Sequence, residues 1–477
     1  MTLDIHLDRR QDRPIFLQVC DRFKAAIAQG RLRRGERVPA VRALALELGV
    51  ARGTIEAAYA VLTDEGYLLA RGAAGTVVSP ALPEPVAPQP PARAAAAPID
   101  DGDAGAPLRP LQLGLPALDA FPRKTWARIA AQRLRAMAPA ALAYPASAGE
   151  RALRERIAAY LAISRGVACD PAQVFVTTGY RASLELVLRS LGRPGDAVLF
   201  EDPGYFMASR FLREASMELV PVRVDAHGMV VDEGTAARPD ARFALVTPAN
   251  QSPLGVTLAL ERRIALLDWA ARADSWIVED DYDSEFRYQG RPLPALKSLD
   301  RHDRVLYCGT FSKVMFPGLR LAYLVVPRAL AARFAGVGAQ LHAGAPVLYQ
   351  DALADFMAAG HFGRHLKKMR GLYAKRRALL AQALAEVFGA TLAVELAPGG
   401  LHIVPRLAAQ VDDAALAQAA RAAGFGIHCL SQWYLAQPPV PGLVLGFANV
   451  ADADDARRLA LRLQAALGSL PALAAQR

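Results

Sequence analysis

Between Pro80 and Pro107 the chain carries eight prolines and almost no periodic apolar pattern. Proline fixes φ, removes a backbone donor and breaks a helix interior, so no regular element runs through this stretch. As a random coil it would span about 30 Å r.m.s.. It reads as a linker over residues 80–107, dividing the 477 residues into a module at 1–79 and a larger one at 108–477. Each module must then bury a core of its own. With 53% hydrophobic and 21% charged residues, the composition is globular rather than disordered.

In the small module, FLQVCDRFKAAIAQG places apolar residues at helical spacing and stops at Gly30. A second helix, AVRALALELGV, follows Pro39 and is broken by Gly49; a third, RGTIEAAYAVLTDEGY, ends near Gly66. LLARGAAGTVVSP then alternates around Gly72 and Gly75, as a two-stranded wing would. Helix, short glycine turn and helix are the helix-turn-helix pattern. Arg31, Arg33, Arg34, Arg37 and Arg42 face a single acid, Glu36, within twelve residues, and the whole chain has a formal charge of +10. A solvated face explains such a run in isolation. Beside a helix-turn-helix it reads as a phosphate-contacting surface for double-stranded DNA.

The large module alternates continuous apolar runs (QVFVTTG, DAVLFEDP, RFALVTP, SWIVEDD, RVLYCGT) with helical patterns such as RASLELVLRSL. Runs of that kind suit strands buried on both faces of a mostly parallel sheet. The expectation is an α/β, doubly wound domain whose ligands sit at the carboxyl ends of the strands. From about residue 356 to 477 a smaller α+β part is expected, with LHIVPRL and LVLGFANV as strands. The chemistry-bearing residues fall at those strand ends. QVFVTTG leads into Gly179-Tyr180-Arg181 and a helix start, where free amides bind phosphate. DAVLFEDP is followed by Tyr205, SWIVEDD holds Asp280 with Tyr282 two residues on, and RVLYCGT runs into Ser312-Lys313, with Arg320 seven residues later. An amine, a carboxylate for a ring nitrogen, an aromatic platform and a phosphate clamp are the parts that pyridoxal phosphate needs. A lone lysine after a strand is more often a surface group; the ordered set is what points to the cofactor.

RGERVPAVRALALELGVARGTIEAAYAVLTDEGYL, TTGYRASLELVLRSLGRPGDAVLFEDPGY, EDDYDSEFRYQGRPLPALKSLD and GTFSKVMFPGLRLAYLVVP together resemble the MocR/GabR-type regulators. These are GntR-family winged helix-turn-helix proteins fused to a fold-type I aminotransferase-like domain. The resemblance implies that Lys313 links covalently to the cofactor, Asp280 pairs with its ring nitrogen, Tyr282 meets the ring hydroxyl and Tyr205 stacks on the ring. Gly179, Tyr180, Arg181, Thr310, Ser312 and Arg320 would hold the phosphate, and Asn250 is chosen from the Asn250-Gln251-Ser252 loop for the ring hydroxyl. Arg42, Arg52, Thr54, Gly75 and Thr76 match positions that meet DNA, and a homodimer is implied.

The chain departs from that pattern in places. Ala40 and Ala51 stand before the second and third helices, where serine caps are common, and losing a cap costs ~1 kcal/mol. Arg181 stands where an amide is more usual. Val444-Leu445-Gly446-Phe447-Ala448 lacks the arginine with which amino acid aminotransferases grip the substrate carboxylate; Arg406, Arg421 or Arg181 would have to approach from elsewhere.

The leading expectation is a regulator whose large domain senses pyridoxal phosphate, or an amine or amino acid condensed with it, with slow or incomplete turnover. A true aminotransferase carrying a DNA-binding appendage is the alternative. A GntR repressor with a cofactor-free sensor is disfavoured by Lys313 and Asp280. Cys20, Cys169, Cys308 and Cys429 form no CxxC pair, so neither a metal site nor a disulfide framework is indicated. With no apolar run near the ~20 residues of a membrane helix, the expected location is the cytoplasm.

Overall fold

The computed structural model describes residues 7–8, 13–82, 107–290, 293–341 and 344–468. Most of the linker reading, residues 83–106, lies outside the described residues. The chain divides into two units, Met1–Gly105 and Ala106–Arg477.

In the first unit, helices α1 (Ile15–Ala28), α2 (Val41–Leu48) and α3 (Arg52–Asp64) precede strands β1 (Leu68–Ala70) and β2 (Thr76–Val78). The apolar stripes of all three helices meet in one core around Val19, Phe23, Leu44, Ile55, Leu62 and Val78. Phe23 packs edge-on to Tyr59 at 5.5 Å, and the Tyr59 hydroxyl donates to the Pro39 carbonyl at 2.8 Å, fixing the start of α2 against α3. Gly49 ends α2 at φ 60°, the left-handed conformation that glycine adopts without penalty, and this makes the short turn into α3. The two strands pair antiparallel, and residues 35–38 add to the outer edge of β2 through Gly35 N–H to Val78 and Val38 N–H to Thr76. The wing is thus broader than the expected two strands.

The second unit carries an eight-stranded sheet. Its strands are β3 (Val174–Thr177), β4 (Ala197–Asp202), β5 (Glu218–Asp225), β6 (Gly228–Met229), β7 (Phe243–Val246), β8 (Trp276–Asp281), β9 (Val305–Thr310) and β10 (Ala322–Val325), in the order 3-10-9-8-7-4-5-6. β4, β5, β7, β8 and β9 pair parallel; β10 lies antiparallel to both β3 and β9, and β6 antiparallel to β5. A single reversed interior strand leaves β3 parallel to β9, so their carboxyl ends share one edge with β4 and β8. Helices α4 (Arg123–Ala136) to α11 (Val347–Ala358) cover the sheet; α6 (Tyr180–Leu191) and α7 (Phe206–Glu214) start just beyond β3 and β4. The long α12 (His361–Phe388) leads to a small antiparallel sheet of β11 (His402–Ile403), β12 (His428–Cys429) and β13 (Leu443–Gly446), with α13 (Asp413–Ala422) and α14 (Ala453–Leu467) against it. Two-residue strands such as β11 and β12 carry too short a pattern to read alone.

The two alanines do begin uncapped helices: Ala40 and Ala51 occupy the N-cap positions of α2 and α3, with no side-chain hydrogen bond at either. Ala40→Ser and Ala51→Ser should each stabilise the N-terminal unit by about 1 kcal/mol. Denaturant melts that show no shift in midpoint for either variant would contradict this.

Candidate functional site

Three consecutive residues of β8, Glu279, Asp280 and Asp281, are buried carboxylates. Side chains alternate across a strand, so Glu279 and Asp281 share one face and Asp280 points to the other. Glu279 accepts from the backbone N–H groups of Leu296 and Lys297, both at 2.8 Å. Asp281 accepts from Arg165 Nε at 2.8 Å and Nη2 at 2.6 Å, and from the Tyr307 hydroxyl at 2.5 Å. Asp280 faces a cavity of about 420 Å³ at the carboxyl edge of the sheet. The Tyr180 hydroxyl lies beside it without closing a full hydrogen bond. Burial pushes the Asp280 carboxyl up to about 7, opposed by Tyr180 and by Lys313.

Lys313 enters the same cavity three residues beyond β9. Its Nζ donates to the Gly114 carbonyl at 2.8 Å. Gly114, at φ 80°, leaves so little room that a Cβ there would stand 2.5 Å from that nitrogen. Burial pulls the amine below the ordinary lysine range, against the pull of Asp283 and Asp280. That shift favours the neutral amine, the form that attacks an aldehyde.

Across the cavity, Gly179 caps α6 at φ 132°, and a Cβ on it would sit 3.2 Å from the Arg320 guanidinium. The helix start and the arginine form a cradle for an anion. Arg320 itself adopts the left-handed conformation at φ 50°, which is unusual for a side chain of its size. Thr310 and Ser312 line the same end, with Ser312 N–H donating to Thr310 Oγ1 at 3.1 Å. Tyr205 closes one wall, its ring 6.4 Å from that of Tyr180, and burial lifts its phenol to about 12. Tyr282 lies opposite, its phenol raised by burial.

Three expectations change. Asn250 does not line this cavity: its Nδ2 donates to the Tyr282 hydroxyl at 3.1 Å and to Asp283 at 2.9 and 3.0 Å. The residue of that loop on the cavity wall is Ser252, followed by Pro253. A loop that turns within three residues presents only one of Asn250, Gln251 and Ser252 to a given side, and linear order does not say which. Arg181 reaches the wall, but its guanidinium hydrogen-bonds Glu214 at 3.0 Å and stacks over Phe211, with 67% of the side chain exposed. Of the possible substitutes for the missing arginine, Arg421 and Arg406 are both off this wall, and Arg421 bonds the Ile427 carbonyl. Val444 is on the wall, fully buried. His402 and Trp433 also line the cavity and were not singled out in the sequence. A histidine in the apolar run LHIVPRL and a tryptophan ten residues before Leu443 carry no spacing signal; only the small sheet brings them here.

In the first unit, Arg31, Arg33, Arg34, Arg37, Arg42 and Arg52 are all exposed. Arg42 and Arg52 stand in the first turns of α2 and α3, where the helix dipole disfavours a cation; stability alone argues against them there. Arg52 pairs with exposed Glu56 at 2.7 Å, and the Arg37 guanidinium packs on Gly75, at φ 87° in the wing. Thr54 and Thr76 are half-buried beside these groups.

A winged helix joined to a domain built on this sheet and cavity defines a two-module protein with an aminotransferase-type second half. Residues 16–78 match the bacterial regulatory proteins of the gntR family, and residues 115–440 match aminotransferase class I and II. The chain belongs to the MocR-type regulators of the gntR family, which carry this aminotransferase-like domain. It is 37% identical over 93% of its length to the probable rhizopine catabolism regulatory protein MocR of Rhizobium meliloti, covering 92% of that protein. It is 32% identical to the pyridoxine biosynthesis transcriptional regulator PdxR of Corynebacterium glutamicum, over 94% of this chain and 95% of that one. Among solved structures it resembles LysN, an α-aminoadipate aminotransferase of Thermus thermophilus, at TM-score 0.69 and 27% identity, covering 78% of this chain and 94% of that one.

The geometry yields a pH prediction. A carboxyl raised to about 7 when folded but near 3.9 when unfolded binds its proton more tightly in the folded chain. Its contribution therefore falls as pH rises from about 4 to 7 and stays low above. Glu201 and Glu279, each raised to about 7, act in the same direction. In ligand-free protein, Asp280→Asn should stabilise the fold at pH 8 and flatten, without abolishing, the decline between pH 5 and 7. Thermal melts across that range with an unchanged slope would refute it.

Proposed function

We propose that the protein is a cytoplasmic, homodimeric regulator that binds operator DNA through its winged helices and pyridoxal phosphate through its second unit. One observation carries the cofactor reading: a depressed lysine amine, a buried carboxyl and an anion cradle line one cavity at one sheet edge. Lys313 would hold the aldehyde carbon and Asp280 the ring nitrogen. Gly179, Tyr180, Thr310, Ser312 and Arg320 would hold the phosphate, with the backbone of Arg181 contributing rather than its guanidinium. Tyr205 would cover the ring, and Tyr282 with Ser252 would meet the ring hydroxyl; Asn250 would act one step back, through Tyr282. When bound, pyridoxal phosphate supplies an aldehyde that links reversibly to primary amines.

Regulation rather than turnover is favoured by Val444. A bidentate arginine at that position fixes an amino acid's carboxylate, and such positioning contributes several kcal/mol to the reaction. A buried valine gives no such grip, so an amine reaching Lys313 is held without being aimed. The effector is pyridoxal phosphate itself or an amine condensed with it. On the DNA side, Arg42 and Arg52 are placed to meet phosphates or base edges, with Thr54, Gly75 and Thr76 alongside.

Borohydride treatment of the protein loaded with pyridoxal phosphate should fix the cofactor covalently in the wild type and not in Lys313→Ala; a covalent adduct in the variant would overturn the assignment. In gel shifts on its own upstream region, affinity should fall steeply with salt. There Arg52→Ala should weaken specific binding by roughly 1–3 kcal/mol if the residue reads a base. Transamination of amino acids and ω-amines with a keto-acid acceptor should run far below the ~10 s⁻¹ typical of enzymes. Enzyme-like rates on any of them would favour the aminotransferase alternative.

A further inference from the structure

Beside the first cavity lies a second, of about 380 Å³, between the loop at residues 253–257 and the segment 395–406 that enters the small sheet. The two share Pro253 and His402, but Lys313, Asp280 and Arg320 line only the first. We infer that this second cavity is a binding site for a small zwitterion of the amino-acid class.

The wall carries both signs of charge and leaves them unused. Arg406 is half-buried on it, and its guanidinium has no hydrogen bond or ion pair among the described residues. Glu395, on the same wall and exposed, is likewise without a partner among the described residues. Asn250 supplies the third group. It is 8% exposed, and its Nδ2 is committed to Asp283 and the Tyr282 hydroxyl. That leaves Oδ1 without a donor among the described residues, 3.6 Å from where a Cβ of the wall residue Gly255 would stand. An acceptor on the cavity wall with no protein donor among the described residues is free to receive a bound N–H group.

The floor is held open by backbone. Gly255, at φ 72°, lies so close to Ala397 that a Cβ would stand 2.5 Å from it; a Cβ on Gly400, at φ 91°, would stand 2.9 Å from Asn250 Nδ2. Side chains at either position would fill the space. The His402 ring, whose pKa is lowered by burial, is tied to the Pro253 carbonyl at 2.8 Å and lines both cavities. The volume exceeds the roughly 30 Å³ that a water takes in the liquid and accommodates a compact organic molecule. An apolar ligand would cover the half-buried arginine and the amide without pairing either. A carboxylate for Arg406 and an ammonium for Glu395 and Asn250 Oδ1 meet all three.

Occupancy would reach the first cavity by a short route, because the amide that meets the ligand also holds the Tyr282 hydroxyl. This consequence rests on the regulator reading; the binding itself does not.

The test is calorimetric titration of full-length Lys313→Ala protein with the twenty amino acids and short ω-amino acids, one at a time. At least one should bind. Its affinity should drop at least about tenfold when Arg406→Ala is added and recover in part with Arg406→Lys. No binding by any of them would overturn the inference. So would binding indifferent to Arg406→Ala, or binding seen in the wild type but lost in Lys313→Ala, since that ligand would belong to the first cavity. A gel shift without added amino acid reports on DNA binding separately, so failure of either reading is seen independently of the other.

Discussion

A strand that ends in three successive carboxylates and is buried on both faces is an electrostatic problem, and this domain is arranged around its solution. Ionised groups leave water only when paired or fully hydrogen-bonded. Two of the three on β8 are paired with protein groups: Glu279 through both oxygens with the amides of Leu296 and Lys297, and Asp281 through Oδ2 with the buried Arg165 and the Tyr307 hydroxyl. Removing one partner of a buried ion pair typically costs 3–5 kcal/mol, so α5 (Arg151–Arg165), β8 and β9 are locked together at this level. The pleat turns the middle carboxylate, Asp280, the other way, into the cavity that Lys313 enters. Its position is set by neighbours that protein groups hold on the opposite face.

The winged helix makes a different compromise. α2 and α3 start without side-chain caps and with arginines in their positive ends. Both features weaken an isolated helix, by about 1 kcal/mol for a missing cap and 0.3–1 kcal/mol for a cation at the N-terminus. The shared core around Phe23, Tyr59 and Leu62 offsets this. The result is a row of exposed guanidinium groups near two helix starts and a wing, which suits a polyanion better than it suits the fold.

Family membership assigns the chain to regulation, and its second unit has the aminotransferase-type fold. The sheet edge, the lysine and the anion cradle remain, while the position that would orient a substrate carboxylate is the fully buried Val444. Asn250 stands between two cavities instead of inside one, joined to Tyr282 on one side and open to Arg406's cavity on the other. With Pro253 and His402, which line both cavities, that amide links the two spaces.

Much of this was legible in the sequence because the signals were local. The proline run separated the modules; Gly49 and Gly75 punctuated the helix-turn-helix and wing; continuous apolar runs marked buried strands whose ends carried Gly179, Tyr205, Asp280 and Lys313. Strand direction was legible only as mostly parallel, since an apolar run does not record its orientation, and the reversal of β10 depends on pairing. The choice of Ser252 over Asn250 for the cavity, the diversion of Arg181 to Glu214, and the arrival of His402 and Trp433 were decided by tertiary packing. Each depends on which way a side chain leaves a turn, or on contacts across many residues of chain, and spacing along one sequence encodes neither. The sequence by itself determined which chemical groups were present and at which strand ends; only the fold decided which of them share a cavity.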